Sequence, residues 1–443
     1  MKSKQVVAAE ILTTGWCPLD CKYCYIPKTE HMKDMHKEIV QSIEDGSLVE
    51  NLYNTVGDGL EYLGFWGTEP TLTLPLIGNH MKAILDRFPK LKEINFSTNG
   101  MMDPMITVNY ALSLIDVDRP LELKIQFSLD GPAWITDNNR KGGAADMIVD
   151  NLLSIVKELN DVDLGNLKLE FRWKPTHSIQ NFRDFVDRPY LMSGYKAFFD
   201  DINTRFTETN TNKSVTHKGF YSSTIVVPGK YTSADGKVFA EYVKLTHKCG
   251  LDTSYTSRLM RLVKYTNDLS KRRQFSCSGG DSNIGLDTEV HICHRTFYYN
   301  NPKYVKSVME NVDVENWDVS LFEQGMLDHI NKWFIVDSKN EMEYTRFLYV
   351  MRGYHDFWKH QIGYINAMMM ELAMAGQVDP IYATNDKLRG LFALFQNACM
   401  SCPMENLLNT GSIHLQVVSL LRLFGNGAFQ EIVRRTEERL KDD

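Results

Sequence analysis

The chain contains no uncharged apolar run approaching the roughly 18 residues that a membrane-spanning helix needs, although 43% of its residues are hydrophobic. The apolar run Val6 to Ala9 is cut short by Glu10, and no secretory h-region exists. The expected location is therefore the cytoplasm, without a membrane partner. Excess positive charge is missing as well, since the net charge is −7. Nucleic acids are bound through basic faces that release counterions, so none is expected as a partner. There is no repeat of fixed period and no low-complexity tract. Cysteine is scarce: the eight are Cys17, Cys21, Cys24, Cys249, Cys277, Cys293, Cys399 and Cys402. A tight triplet, a separated pair, a CxxC and a singleton in a cytosolic chain suggest metal or cluster ligation rather than disulfides.

At 443 residues the chain has room for two or three domains. Its first two hundred residues alternate short extended runs with helical patterns, which implies parallel strands joined by crossover helices. Strands are predicted at Val6–Thr13, Tyr62–Trp66, Glu93–Ser97, Leu121–Leu129 and Leu167–Trp173, with a sixth at Tyr195–Ile202. Helices are predicted at Lys37–Tyr53, Leu76–Phe88, Met105–Ile115, Ala144–Leu159 and Asn181–Tyr190. The expected fold class is α/β, a partial (β/α)6 barrel spanning residues 1–220. From Thr204 to about Asp235 the pattern turns irregular and polar, which marks a junction. A second, mainly helical domain is expected over 221–443, with a small hairpin between Cys277 and Cys293.

The sharpest chemical signal is Cys17-Pro18-Leu19-Asp20-Cys21-Lys22-Tyr23-Cys24, a CxxxCxxC directly after the first predicted strand. Three thiolates can hold three irons of a [4Fe–4S] cube and leave the fourth open. The same spacings suit a zinc knuckle, for which His31 and His36 are the only close fourth ligands.

Three more motifs follow in order, each ending a predicted strand: Phe65-Trp66-Gly67-Thr68-Glu69-Pro70, Ser97-Thr98-Asn99-Gly100, and Phe127-Ser128-Leu129-Asp130-Gly131-Pro132 with Arg140 beyond it. With the cysteine triplet they resemble the radical S-adenosylmethionine (SAM) superfamily, through its GGEP segment, its TNG turn and the SxDGP…R pattern of the sulfatase-maturase-like branch. The resemblance implies a SAM-binding [4Fe–4S] cluster on Cys17, Cys21 and Cys24. It implies SAM contacts from Tyr23, Gly67, Thr68, Glu69 and Asn99, with the Phe65 to Pro70 segment binding the methionine amino group. Ser128 and Arg140 would meet the SAM carboxylate, and Asp130 or its neighbours the ribose. Thr68 departs from the second glycine of GGEP, and Trp16 from the small or polar residue usual before the first cysteine. The implied activity is reductive cleavage of SAM to a 5′-deoxyadenosyl radical that abstracts hydrogen, with a flavodoxin or ferredoxin as reductant.

Leu286-Asp287-Thr288-Glu289-Val290-His291-Ile292-Cys293-His294-Arg295 resembles the hairpin of the SPASM and twitch extensions of that superfamily. The resemblance implies one auxiliary [4Fe–4S] cluster on Cys277, Cys293, Cys399 and Cys402. Alternation in the fourth and fifth strands sets Lys124, Gln126, Ser128 and Asp130, then Lys168, Glu170, Arg172 and Lys174, on the face opposite the apolar residues. That polar face is expected to line the barrel lumen, with Arg172 gripping a carboxylate of SAM or substrate in bidentate fashion. The maturase-like pattern favours a peptide or protein side chain as substrate, and the single auxiliary cluster also resembles that of twitch dehydrogenases of small molecules. No leader-peptide-binding domain is expected before the first strand. A non-catalytic iron–sulfur or zinc-binding protein is the alternative from another class.

Overall fold

In a computed structural model of the chain, described for residues 7–24, 28, 30–218, 224–225, 238, 241–242, 245–246, 248–251, 283–286 and 290–291, strict two-residue alternation sets the central strands. Strand β4 (Leu121–Phe127) buries Leu121, Leu123, Ile125 and Phe127 and leaves Glu122, Lys124 and Gln126 half-exposed on the other face. Strand β5 (Leu167–Trp173) repeats the pattern with the bounds read from the sequence. Around them stand β1 (Ala8–Thr14), β2 (Tyr62–Gly67) and β3 (Glu93–Thr98), and later in the chain β6 (Thr176–His177), β7 (Val215–Lys218), β8 (Thr224–Ile225), β9 (Asn283–Leu286) and β10 (Val290–His291). The main sheet runs β10-β9-β1-β2-β3-β4-β5-β7, and β1, β2, β3, β4, β5 and β7 form a parallel six-stranded run. Helices α1 (Glu30–Glu44), α2 (Ser47–Val56), α3 (Leu74–Gly78), α4 (Met81–Arg87), α5 (Pro104–Leu112), α6 (Ala133–Asn139) and α7 (Ala144–Glu158) lie between successive strands. Helices α8 (Ile179–Asp187) and α9 (Tyr190–Thr209) follow β5. This is the partial α/β barrel expected from the sequence. No helix among the described residues is long and apolar enough to cross a membrane.

The contacts divide the chain into two units. One holds residues 7–176, 193–224 and the β9–β10 pair, with the whole six-stranded run. The other holds residues 177–192 and the described residues from 225 to 251. There, buried His177 meets the Tyr242 hydroxyl at 3.2 Å, and Phe182 and Phe185 pack beside Tyr242.

The sixth strand is not where the sequence places it. Tyr195–Ile202 lies inside α9, because Met192, Tyr195, Phe199, Ile202 and Phe206 recur every three to four residues and bury one helical face. The sixth parallel strand is β7, inside the stretch expected to be irregular, and it pairs Leu169 with Val215 and Arg172 with Lys218. Strand β5 is therefore flanked on both sides rather than lying at an edge. The single helix predicted over Lys37–Tyr53 is two, broken at Gly46 with φ of 78°. The helix predicted over Leu76–Phe88 likewise divides into α3 and α4.

Candidate active site

Parallel strands bring the loops that follow them to one edge, where sites on α/β folds are built. Strand β1 delivers Cys17, Cys21 and Cys24 to that edge, β2 delivers Gly67 to Glu69, β3 delivers Asn99, and β4 delivers Ser128 and Asp130. Gly67 has φ of 139°, and a Cβ there would sit 2.5 Å from the Thr14 carbonyl oxygen, so only glycine lets β2 pass β1 at this point. Thr68 spans the same gap. Its N–H donates to the Thr14 carbonyl at 3.2 Å, and its hydroxyl donates to the Trp16 carbonyl, tying down the residue before Cys17. The Thr14 hydroxyl in turn accepts from the Trp16 N–H at 3.0 Å and meets His36 Nδ1 at 3.1 Å.

Cys17 and Cys21 are half-buried and Cys24 is exposed. The Leu19 N–H points at Cys17 Sγ at 3.4 Å, and the Asn99 side-chain amide approaches the same sulfur at 3.9 Å. A turn closes the loop, with the Cys24 N–H on the Cys21 carbonyl at 2.9 Å. Burial raises the Cys17 thiol above its ordinary range and pushes Cys21 up to about 11, against the pull of Arg140 on Cys21. Cys17 feels the charge of Cys24, and Cys21 feels that of both Cys24 and Cys17, so a bound cation that relieves this repulsion would displace protons from them. Among the described residues no three His, Cys, Asp or Glu groups converge on a single-ion site.

Glu69 lies beside the cysteines and is 1% exposed. One carboxylate oxygen accepts from the Thr71 hydroxyl at 2.6 Å, the Thr98 hydroxyl at 2.7 Å and the Thr71 N–H at 3.3 Å, and the other accepts from the Asn99 N–H at 2.7 Å. Burial raises its pKa, and these donors work against that rise. No cationic side chain among the described residues pairs with it. A buried carboxylate held by neutral donors, one of its oxygens accepting only a single hydrogen bond, suits a cationic ligand group.

Asp130 is fully buried and collects donors from three segments. The Tyr23 hydroxyl lies 2.8 and 3.1 Å from its two oxygens, Arg140 Nε and Nη2 lie at 2.9 and 3.0 Å, and the Thr176 N–H lies at 2.9 Å. The Asn139 amide approaches at 3.4 Å. Burial alone would lower the Arg140 pKa, and the Asp130 carboxylate reverses that and raises it. Ser128 is half-exposed, with its N–H on the Thr98 carbonyl at 2.9 Å. Arg172 pairs with Glu170 on its own strand, on the polar face of the sheet. The structure thus gathers Cys17, Cys21, Cys24, Tyr23, Gly67, Thr68, Glu69, Asn99, Ser128, Asp130 and Arg140 at one edge. Cys277, Cys293, Cys399 and Cys402 lie outside the described residues. Thr71, Asn139 and Thr176 went unread in the sequence, and Thr98 was read only as part of the TNG turn, not as a partner of Glu69. Only Thr71, two residues past Glu69, carried a local signal for its role.

Residues 11–163 match the sequence model of the radical SAM superfamily. Among solved structures, the chain is similar to native anSMEcpe with bound AdoMet and Cp18Cys peptide, at 18% identity and a TM-score of 0.39 over 66% of this chain and 74% of that one. It is also similar to Streptococcus suis SuiB bound to precursor peptide SuiA, at 13% identity and a TM-score of 0.39 over 67% of this chain. For SuiB bound to S-adenosylmethionine the identity is 14% and the TM-score 0.36 over 66% of this chain. The chain spans 61% of the SuiB chain in both cases. No curated protein matches the sequence.

Proposed function

We propose that the protein is a radical SAM enzyme that abstracts hydrogen from a peptide or protein side chain. The observation that carries this reading is the joining of two donor sets at one sheet edge. Three thiols on the loop after β1 suit an iron–sulfur cube with one open iron, and beside them the buried Glu69 carboxylate suits an ammonium group. When bound and reduced by one electron from a flavodoxin or ferredoxin, the cluster and SAM supply a 5′-deoxyadenosyl radical. Cys17, Cys21 and Cys24 hold the cluster, with Asn99 beside the first sulfur. Glu69 accepts from the methionine amino group. Gly67 and Thr68 keep β2 and the start of the cysteine loop in register. Ser128 and Arg172 complete the polar end of the strands, where a carboxylate of SAM or substrate is held. The peptide reading rests on the likeness of Phe127 to Pro132 with Arg140 to the maturase pattern. A core over 1–220 and an extension over 221–443 that binds one auxiliary cluster through Cys277, Cys293, Cys399 and Cys402 belong to the same reading.

Anaerobic reconstitution followed by assay for 5′-deoxyadenosine tests it. The parent is expected to carry two [4Fe–4S] clusters and to release 5′-deoxyadenosine when reduced with SAM. Joint replacement of Cys17, Cys21 and Cys24 by alanine is expected to remove one cluster and all cleavage. Zinc with negligible iron in the parent, or cleavage persisting in the triple variant, would overturn the assignment.

A further inference from the structure

The Asp130 carboxylate has no acceptor capacity left for a ligand. Oδ1 receives Tyr23, Arg140 Nη2 and the Thr176 N–H, and Oδ2 receives Tyr23, Arg140 Nε and Asn139. An ionised carboxylate offers about four lone-pair sites, and these contacts bring five donor hydrogens, the single Tyr23 hydrogen being shared between the two oxygens. The Arg140 side chain is 5% exposed and grips Asp130 in a bidentate pair through Nε and Nη2, while its guanidinium lies 5.3 Å from the Tyr23 ring centre. What this closed unit touches is the cysteine loop. Tyr23 lies between Cys21 and Cys24, and its neighbour Lys22 is tied to the same helix end by its N–H on the Asn139 carbonyl at 2.9 Å and by Nζ on Asn138 Oδ1 at 2.5 Å.

We infer that Asp130 is a positioning residue for the cluster loop, which through Tyr23 and Arg140 pins the turn from Cys21 to Cys24 and balances the charge beside it, rather than a contact for the SAM ribose. The inference rests on the radical SAM reading. The unit sets one negative and one positive side chain behind the loop, joined to it through the Tyr23 hydroxyl and ring. Groups behind the ligands of a metal centre commonly govern both retention and potential.

The test compares the parent with Tyr23→Phe, Asp130→Asn and Arg140→Gln, all reconstituted and free of SAM. Tyr23→Phe removes one hydroxyl from the rim of the unit, and it is expected to lose cluster iron to a chelator about tenfold faster than the parent. In the apo protein, the Lys22 amide is expected to exchange faster in the same variant, a readout independent of the metal. Asp130→Asn leaves Arg140 unbalanced and raises the cluster potential, whereas Arg140→Gln leaves Asp130 unbalanced and lowers it. A merely structural role gives no such opposition of sign. Unchanged iron loss in Tyr23→Phe, or potentials that stay put or move together, with a cluster present in the parent, overturns the inference. So does Asp130→Asn that weakens SAM binding with retention and potential unchanged, which is the signature of a ribose contact. A parent without a cluster overturns the radical SAM reading itself.

Discussion

Glu69 sits among neutral neighbours: two threonine hydroxyls and two backbone N–H groups work against the rise in pKa that burial imposes on its carboxylate. Glu69→Gln keeps the shape but turns an acceptor into an amide donor facing these same groups, and removes the charge an ammonium ligand would meet. Hydrogen bonds to charged groups contribute about 1.5–3 kcal/mol, so SAM affinity is expected to fall on the order of tenfold or more. Equilibrium SAM binding to cluster-loaded protein measures this, with iron content as the control, and unaltered affinity would remove Glu69 from the SAM site. Glu69 was legible because a recognisable motif carries it. The hold of Thr98 on Glu69 was not, although a motif carries that residue too, because it reaches Glu69 from the next strand, 29 residues away. The Asp130 unit was half legible in the same way. Asp130 and Arg140 stand ten residues apart in one motif, while Tyr23 comes to them across 107 residues of chain.

Elements were read well wherever period and burial agree. In β4 and β5 alternate residues are buried along the whole strand, so the pattern states the type of both and the bounds of β5, while β4 ends at Phe127, two residues short of the predicted Leu129. Segment 195–202 misled because its aromatics suit a strand, whereas the decisive signal is the spacing of Tyr195, Phe199, Ile202 and Phe206. Strand β7 was missed because only four residues define it and two of them, Thr216 and Lys218, are exposed. Pairing of β1 with β2 carries a direct prediction. Gly67→Ala forces both a strained φ and a contact with the Thr14 carbonyl, and is expected to destabilise the fold by about 2 kcal/mol or more, read from denaturant unfolding. A stability equal to the parent would show that β2 can shift there freely. On β7, His217 stacks on Trp173 at 5.5 Å and against Phe206 at 4.6 Å, and its Nδ1 is buried without a hydrogen-bond partner. Burial lowers its pKa, so the folded state disfavours the charged ring. Above the ordinary value near 6.5 both states are neutral and nothing is lost, while stability declines as pH falls from there toward the folded pKa. His36, lowered for the same reason, acts in the same direction. His217→Phe is expected to flatten the acid side of a stability–pH curve in part, and an unchanged slope would mean that the ring charges without penalty.

At the scale of the whole molecule, the proposed clusters draw on separate stretches of chain. Replacing Cys399 and Cys402 is therefore expected to lower iron by about one cluster while 5′-deoxyadenosine formation continues, uncoupled from product. Iron and acid-labile sulfide analysis checks this, and an unchanged content would return Cys249 to consideration as a ligand. One contact in the sheet reaches further still in sequence. Strand β9 runs parallel to β1, Ala8 beside Asn283 and Ile11 beside Leu286, so the strand that leads into the cysteine loop gains its outer neighbour from the far side of the chain. On a ribosome adding about 5–20 residues per second, β1 leaves the tunnel roughly 15–50 s before β9 is made. Through that interval its outer edge presents unpaired amides and carbonyls, an invitation to foreign strands. The nascent chain accordingly carries the strand that leads into its cysteine loop with one side unpaired until late in translation.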